Sequence, residues 1–269
     1  MKIVIDKNLY DSMADKFPEI EFFTELEQCP DVEALIGHAE EVKTEILEKL
    51  PKLRWVQLPS AGYDMIDADY IRKRRITLTN AKDVFSIPIA EDVVCKILMH
   101  NTNAFKYLEN KKTRTWDRSL KRTELKGQTI GIIGTGSIAT EIAKRLKPFG
   151  VEILGHKRTP VMAMPYFDEI YSGKNGLEYV LSVSDYVVVT ADLNKSTHHL
   201  INKDNLKFMK KDASIINIAR GSIINQEDLK EALKNNLISY AGLDVFEVEP
   251  LPADDHIVPK MVLFWQMWT

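Results

Sequence analysis

The chain has 269 residues, 45% hydrophobic and 28% charged, the balance of a globular protein with one large core or two ordinary ones. Its 36 basic and 39 acidic residues leave a formal net charge of −3, which gives no electrostatic footprint for nucleic acid or an anionic membrane as the main ligand. Cys29 and Cys95 form no CxxC pair and no run approaches the ~18 uncharged apolar residues of a membrane span, so neither a disulfide framework, a metal site nor a membrane anchor is expected, and the cytoplasm is the expected compartment.

The opening, MKIVIDKNLY, carries charges inside its apolar run and reads as a strand, not as a signal peptide. The candidate strands of the first part are KIVI, IEFF, EALIGH, RWVQL and ITLTN. Helix-like stretches lie between them, such as EEVKTEILEKL, whose Val42, Ile46, Leu47 and Leu50 recur at helical spacing. From Ile87 to Asn110 the pattern predicts one long helix, with no Gly or Pro after Pro88. The basic stretch ENKKTRTWDRSLKRTELKG that follows reads as an exposed arm. A second strand–helix series begins at QTIGIIG and continues through VEILGH, DYVVVT, ASIINIA, SYAGLDV and MVLFW. This alternation predicts an α/β fold with mostly parallel sheet, divided near Phe85, the long helix serving as crossover.

The stretch TIGIIGTGSIATEIAKRLKPFG joins a strand, a glycine turn and a helix. Gly134 and Gly136 hold the first two positions of a G-x-G-x-x-G/A pattern and Ala139 the third. The first permits a tight turn, the second a close approach of pyrophosphate, and the small third residue close helix packing. The helix start, at Ser137 and Ile138, would present free N–H groups to the phosphates. Ile138, Ile142, Leu146 and Phe149 form the predicted apolar face. With a strand before and a helix after, a dinucleotide site outweighs a structural turn. The following strand does not end on the acidic residue that would bond the ribose hydroxyls of NAD; Glu152 comes too early. It ends on His156, Lys157, Arg158 and Thr159, and a positive pair with a hydroxyl suits the 2′-phosphate of NADP. NADP is therefore preferred and NAD possible, the alternative being that Lys157 and Arg158 are solvated loop charges.

Downstream lie INIARGSIINQEDLKEAL and AGLDVFEVEPLP, and upstream KLRWVQLPSAGYDMID and ITLTNAKDVFSIPIAEDV. With the glycine turn, these motifs in this order resemble the D-isomer-specific 2-hydroxyacid dehydrogenases, a family that includes glyoxylate/hydroxypyruvate reductases, D-lactate dehydrogenases and phosphoglycerate dehydrogenases. The resemblance implies a Rossmann-type doubly wound parallel sheet for the cofactor, residues 87–269, with a dimer-forming helix and arm at 87–126. Residues 1–86 would form a flavodoxin-like substrate domain, incomplete because the family's C-terminal return to it is absent from the sequence. The implied activity is NAD(P)-dependent reduction of a small 2-oxo acid to a D-2-hydroxy acid, in a homodimer.

The same resemblance implies roles. Arg220 would clamp the substrate carboxylate and polarise its carbonyl, a task that suits the planar guanidinium fork. The backbone N–H groups of Ser60, Ala61 and Gly62 would hold the other side of the carboxylate, and Tyr63 either closes that pocket or belongs to the core. Ile218 and Ala219 would line the cofactor, Asp244 would contact the nicotinamide amide, and Glu249 would pair with the catalytic histidine. Here the sequence departs from the family: alignment of MVLFWQMWT places Trp265, Gln266 and Met267 where the family has its TPH motif, and Met267 has no proton to give. Of the six histidines, His198 and His199 look structural and His256 is the remote substitute. Impaired turnover is expected, and a cofactor-binding remnant without catalysis is the alternative.

Overall fold

A computed structural model describes residues 1–26, 29–252, 255 and 261–263. The chain divides into two compact units, Met1–Phe85 and a second that begins at Ser86.

In the first unit, β1 (Lys2–Ile5), β2 (Glu21–Phe23), β3 (Ala34–Ile36), β4 (Trp55–Gln57) and β5 (Thr77–Thr79) form a wholly parallel sheet in the order β2-β1-β3-β4-β5. That order is the flavodoxin-like one. Strand β1 is apolar on both faces because both are covered. Val4 packs with Leu35, Val56, Leu47 and Leu50 on one side, while Ile3, Ile5 and Ala34 face Leu9, Tyr10 and Met13 on the other. Helices α1 (Lys7–Ala14), α2 (Thr44–Leu47) and α3 (Ala68–Lys73) complete the layers. The carboxylate of Asp67 caps α3 by accepting the Tyr70 N–H at 2.9 Å.

The second unit holds β6 (Thr129–Ile133), β7 (Glu152–Lys157), β8 (Glu169–Ser172), β9 (Tyr186–Val189), β10 (Ser214–Asn217), β11 (Tyr240–Leu243) and β12 (Met261–Leu263). Their order, β12-β11-β10-β9-β6-β7-β8, is parallel throughout and reverses direction between β6 and β9. This is the doubly wound order, extended by one edge strand, and its crevice opens at the carboxyl ends of β6 and β9. Helices α4 (Ser86–Asn101) and α6 (Ser137–Leu146) cover one face, where Ala90, Val93, Ile97, Ile142 and Leu146 meet Ile130, Ile132, Val188 and Ile216. Helices α7 (Gly173–Val183) and α9 (Gln226–Lys234) cover the other, joined by α8 (Lys203–Leu206), with Leu177, Val180, Leu229 and Leu233 against Val187, Val189 and Ile215. No helix of the described residues is long and apolar enough to cross a membrane.

Three local expectations are corrected, and one strand, β8, escapes the sequence reading. The long helix is two, α4 and α5 (Ala104–Thr113), because Asn103 turns left-handed (φ +55°) and its side-chain amide donates to the Lys121 carbonyl at 2.7 Å. The stretch EEVKTEILEKL is a 3-10 turn (Ala39–Val42) and the short α2, separated by an extended Lys43; packing, not helical continuity, buries Val42, Leu47 and Leu50. Phe149 leaves the apolar face of α6, since Pro148 ends that helix in a 3-10 turn and the ring is exposed. Strand β8 carries no alternating apolar signal, being a half-exposed edge neighbour of β7.

Candidate active site and cofactor cradle

The crevice at the reversal point is walled by the glycine turn. Gly134 has φ +96°, and a Cβ there would lie 2.6 Å from the backbone nitrogen of Ala191, so the turn after β6 closes directly on the loop after β9. Thr190 ties that loop down, its N–H donating to the Ile133 carbonyl at 2.8 Å and its Oγ1 to the Gly134 carbonyl at 3.0 Å. A Cβ on Gly136 would meet nothing within 4 Å, leaving open space above the start of α6. The N–H groups of Thr135, Gly136, Ser137 and Ile138 donate to no acceptor among the described residues; the helix begins its own bonding with Thr140 to Gly136 at 3.0 Å. The first turn of α6 contains no acidic residue, and Lys144 and Arg145 lie in its last, so its positive end is uncompensated. Thr135 Oγ1 is buried without a partner among the described residues. Open space, free donors and a positive helix end fit a pyrophosphate.

The neighbouring strand β7 ends at Lys157, followed by exposed Arg158 and Thr159. Neither cation has a carboxylate partner among the described residues. His156, by contrast, is buried, its Nε2 is 3.0 Å from the Gly173 carbonyl, and burial lowers its pKa. It belongs to the strand packing and not to the cation pair.

The loops after β10 and β11 form one assembly. Asn217 accepts the Ala219 N–H at 3.1 Å and donates to the Arg220 carbonyl at 3.0 Å, fixing the turn that carries buried Ile218 and Ala219 and half-buried Arg220. Arg220 Nη1 donates to the Ala219 carbonyl at 2.8 Å. Gly221 presses on the other loop so closely that a Cβ would sit 1.9 Å from the carbonyl of Phe246. The Asp244 N–H donates to the Asn217 carbonyl at 3.0 Å, and Glu249 Oε1 accepts the Phe246 N–H at 2.8 Å. His199 Nε2 lies 2.8 Å from Glu247, whose carboxylate also accepts the Gln226 N–H at 3.1 Å. Arg220, Asp244 and Glu249 are thus carried on two loops braced against each other at the carboxyl edge of one sheet.

Sequence reasoning missed the residue beneath them. Lys96 of α4 is fully buried, with Nζ hydrogen-bonded to Asp92 and 3.8 Å from Asp244 Oδ1. Burial lowers its pKa to about 8 against the attraction of Asp244. Burial raises the Asp244 pKa, with Lys96 opposing and Glu249 reinforcing the rise. The available signal was a lysine three positions after Val93 on an otherwise apolar helix face.

In the first unit, Ser60, Ala61 and Gly62 follow β4. Their carbonyls are all engaged within the unit: Ser60 O accepts the Ala81 N–H at 3.0 Å, Ala61 O the Asn80 amide at 2.6 Å, and Gly62 O the Ser60 hydroxyl at 3.0 Å. None of their three N–H groups donates to an acceptor among the described residues. Successive free N–H groups of this kind suit a carboxylate. Tyr63 is 55% exposed, which removes the core alternative for it.

Five histidines are placed. The His38 N–H donates to Glu41 at 2.8 Å, His100 stacks on Tyr240 at 4.2 Å, His198 lies against His199 at 4.0 Å, and His156 and His199 are engaged as above. His256, Phe264, Trp265, Gln266, Met267 and Trp268 lie outside the described residues.

Comparison with known proteins gives this geometry its context. Residues 9–147 match the family model of the D-isomer specific 2-hydroxyacid dehydrogenase catalytic domain, and residues 94–264 that of the same family's NAD binding domain. The glyoxylate reductase of Pyrococcus horikoshii is 37% identical over 234 residues, 84% of this chain and 70% of the relative. Among solved structures, a D-isomer specific 2-hydroxyacid dehydrogenase family protein from Aeromonas salmonicida superposes with a TM-score of 0.87 at 29% identity, covering 99% of this chain and 88% of that one. An NADPH-dependent glyoxylate/hydroxypyruvate reductase from Sinorhizobium meliloti gives 0.84 at 26% identity, covering 98% and 87%. The glycine cradle and the braced loops of Arg220 and Asp244 thus stand in a chain that belongs to the D-isomer specific 2-hydroxyacid dehydrogenases, NAD-dependent oxidoreductases acting on CH–OH groups.

Proposed function

We propose that this protein reduces a small 2-oxo acid, glyoxylate first and hydroxypyruvate next, to the D-2-hydroxy acid, with NADPH preferred over NADH. The observation that carries the reading is the uncompensated start of α6, with open space over Gly136 and four N–H groups that meet no acceptor among the described residues. The second unit is the cofactor domain in this reading and the first the substrate domain. Gly134, Gly136, Ser137 and Ile138 hold the pyrophosphate, Lys157, Arg158 and Thr159 the 2′-phosphate, Ile218 and Ala219 the body of the cofactor, and Asp244 the carboxamide. The bound nicotinamide supplies hydride to the substrate C2. Arg220 grips the substrate carboxylate and polarises the carbonyl; within the first unit the N–H groups of Ser60, Ala61 and Gly62 are the candidate carboxylate donors, with exposed Tyr63 beside them. Glu249 is fixed by the Phe246 N–H as the partner for a proton donor. The exposed Trp116 and Leu108 support a homodimer through residues 87–126, to be checked by sedimentation.

In this reading Met267, aligned to the family's histidine position, offers no proton, and water substitutes in part as donor to the developing alkoxide. Loss of a positioned acid costs ~10²–10⁴ in rate, and turnover is expected well below the ~10 s⁻¹ of a median enzyme. Three measurements test the reading. Fluorescence titration should give tighter NADPH than NADH binding, with the advantage erased by Lys157→Ala with Arg158→Ala. Calorimetry with NADPH present should show oxamate binding weakened about tenfold or more by Arg220→Lys. Steady-state assay with glyoxylate should show slow NADPH oxidation. Absence of cofactor binding would end the proposal; binding of both ligands with no turnover would favour the cofactor-binding remnant.

A further inference from the structure

Lys96 sits on the sheet-facing side of α4 among Ala90, Val93 and Ile97, and its side chain is 1% exposed. An ammonium in such a place is costly unless carboxylates answer it. Asp92, one turn earlier on the same helix, accepts a hydrogen bond from it, and Asp244 at the end of β11 lies 3.8 Å away. Glu91, beside Asp92, turns instead to Arg145 of α6 at 3.4 Å. Asp244 faces Lys96 and the like charge of Glu249, and its side chain is only 13% exposed.

Packing does not call for this lysine. An apolar side chain would fill the same place without the desolvation cost, and replacement of buried ions by apolar residues is often neutral or stabilising. What Lys96 adds is a positive charge fixed beneath the carboxylate that stands at the carboxyl edge of the sheet, on the edge shared with the cradle. We propose that Lys96 is a positioning residue for the nicotinamide end of the cofactor, holding Asp244 ionised and in place to accept the carboxamide N–H. The inference rests on the reading of Asp244 as the nicotinamide contact. Without Lys96, Asp244 is left with its burial and the repulsion of Glu249, both of which favour the protonated form, and it loses its capacity as a pure acceptor.

The experiment compares two probes on the full chain: NADPH, and 2′-phospho-ADP-ribose, which keeps the phosphates and lacks the nicotinamide. Lys96→Met should weaken NADPH about tenfold or more and change 2′-phospho-ADP-ribose less than about twofold. The NADPH loss should deepen as pH falls, because the unpaired Asp244 protonates at higher pH than in the wild type. Lys96→Arg should restore NADPH binding. It should also abolish the decline of wild-type affinity above about pH 8, where Lys96 gives up its proton and arginine does not. Equal weakening of both probes by Lys96→Met would mark the lysine as merely structural and overturn the proposal. If Lys96→Met does not fold, an alkaline decline identical in the wild type and Lys96→Arg overturns it. Asp244→Asn separates the two readings: an unchanged NADPH to 2′-phospho-ADP-ribose ratio removes Asp244 from the nicotinamide site, whereas a lowered ratio there with none in Lys96→Met removes Lys96 alone.

Discussion

A Cβ on Gly134 would lie 2.6 Å from the Ala191 nitrogen, while one on Gly136 would meet nothing within 4 Å. The two glycines of one motif therefore answer different demands. Gly134 is required by the fold itself, through its positive φ and the backbone pressed against it. Gly134→Ala should destabilise the protein by about 2–4 kcal/mol in urea unfolding, from strain and overpacking together. Nothing within 4 Å makes such a demand at Gly136, and under the proposed function the glycine answers to what approaches from outside. Gly136→Ala should leave stability within about 1 kcal/mol of wild type, the scale of an N-cap exchange, yet weaken NADPH binding at least tenfold. Similar behaviour of the two variants would mean that the open space above α6 is not where the cofactor sits.

At the scale of elements, α4 shows how a helix can be apolar in pattern and charged in its core. The Lys96 pKa stands at about 8 in the folded protein, below its ordinary 10.5. Between those values the unfolded chain holds a proton that the folded one has released, so stability contributed through Lys96 rises with pH across that window. Burial holds Tyr186 and Tyr240 above their ordinary range, which works in the opposite sense above about pH 10. From pH 8 to 10, wild-type unfolding free energy should therefore gain about 2 kcal/mol relative to Lys96→Met, groups common to both proteins cancelling. Parallel slopes in chemical denaturation would show that Lys96 is not titrating there. A second element, the two loops after β10 and β11, is held by the approach of Gly221 to Phe246 and by the His199–Glu247 contact.

At the scale of the molecule, two units with separate cores imply that a dinucleotide should stabilise them unequally. NADPH at about 100 times its Kd stabilises a binding state by about 2.7 kcal/mol. Hydrogen exchange should then slow at residues 134–138, 190–191 and 218–221, with β1 and β3 unchanged. Protection centred on the first unit's core would reverse the assignment of cofactor and substrate domains.

Much of this was legible in the sequence because it is local. The glycine spacing, the short apolar runs and the helices between them encode their own turns and periodicities, so the cradle of Gly134, Gly136 and Ser137 and the α/β alternation need no tertiary information. The resemblance carried Arg220, Asp244 and Glu249 because their motifs are short and contiguous. Other features depend on residues distant along the chain. The break at Asn103 is held by Lys121, the exclusion of a side chain at Gly134 by Ala191, and the course of the Ser60–Gly62 loop by carbonyl bonds to Asn80 and Ala81. Asp92, the near partner of Lys96, follows from helical spacing, but Asp244 is 148 positions further on and no periodicity links it to the lysine. Sequence by itself determined most of the strands and the glycine turn with its helix; only the tertiary structure decided where the long helix breaks and which charges share a low-dielectric interior, because these depend on residues brought together by the order of strands in the sheet and not by the order of residues in the chain.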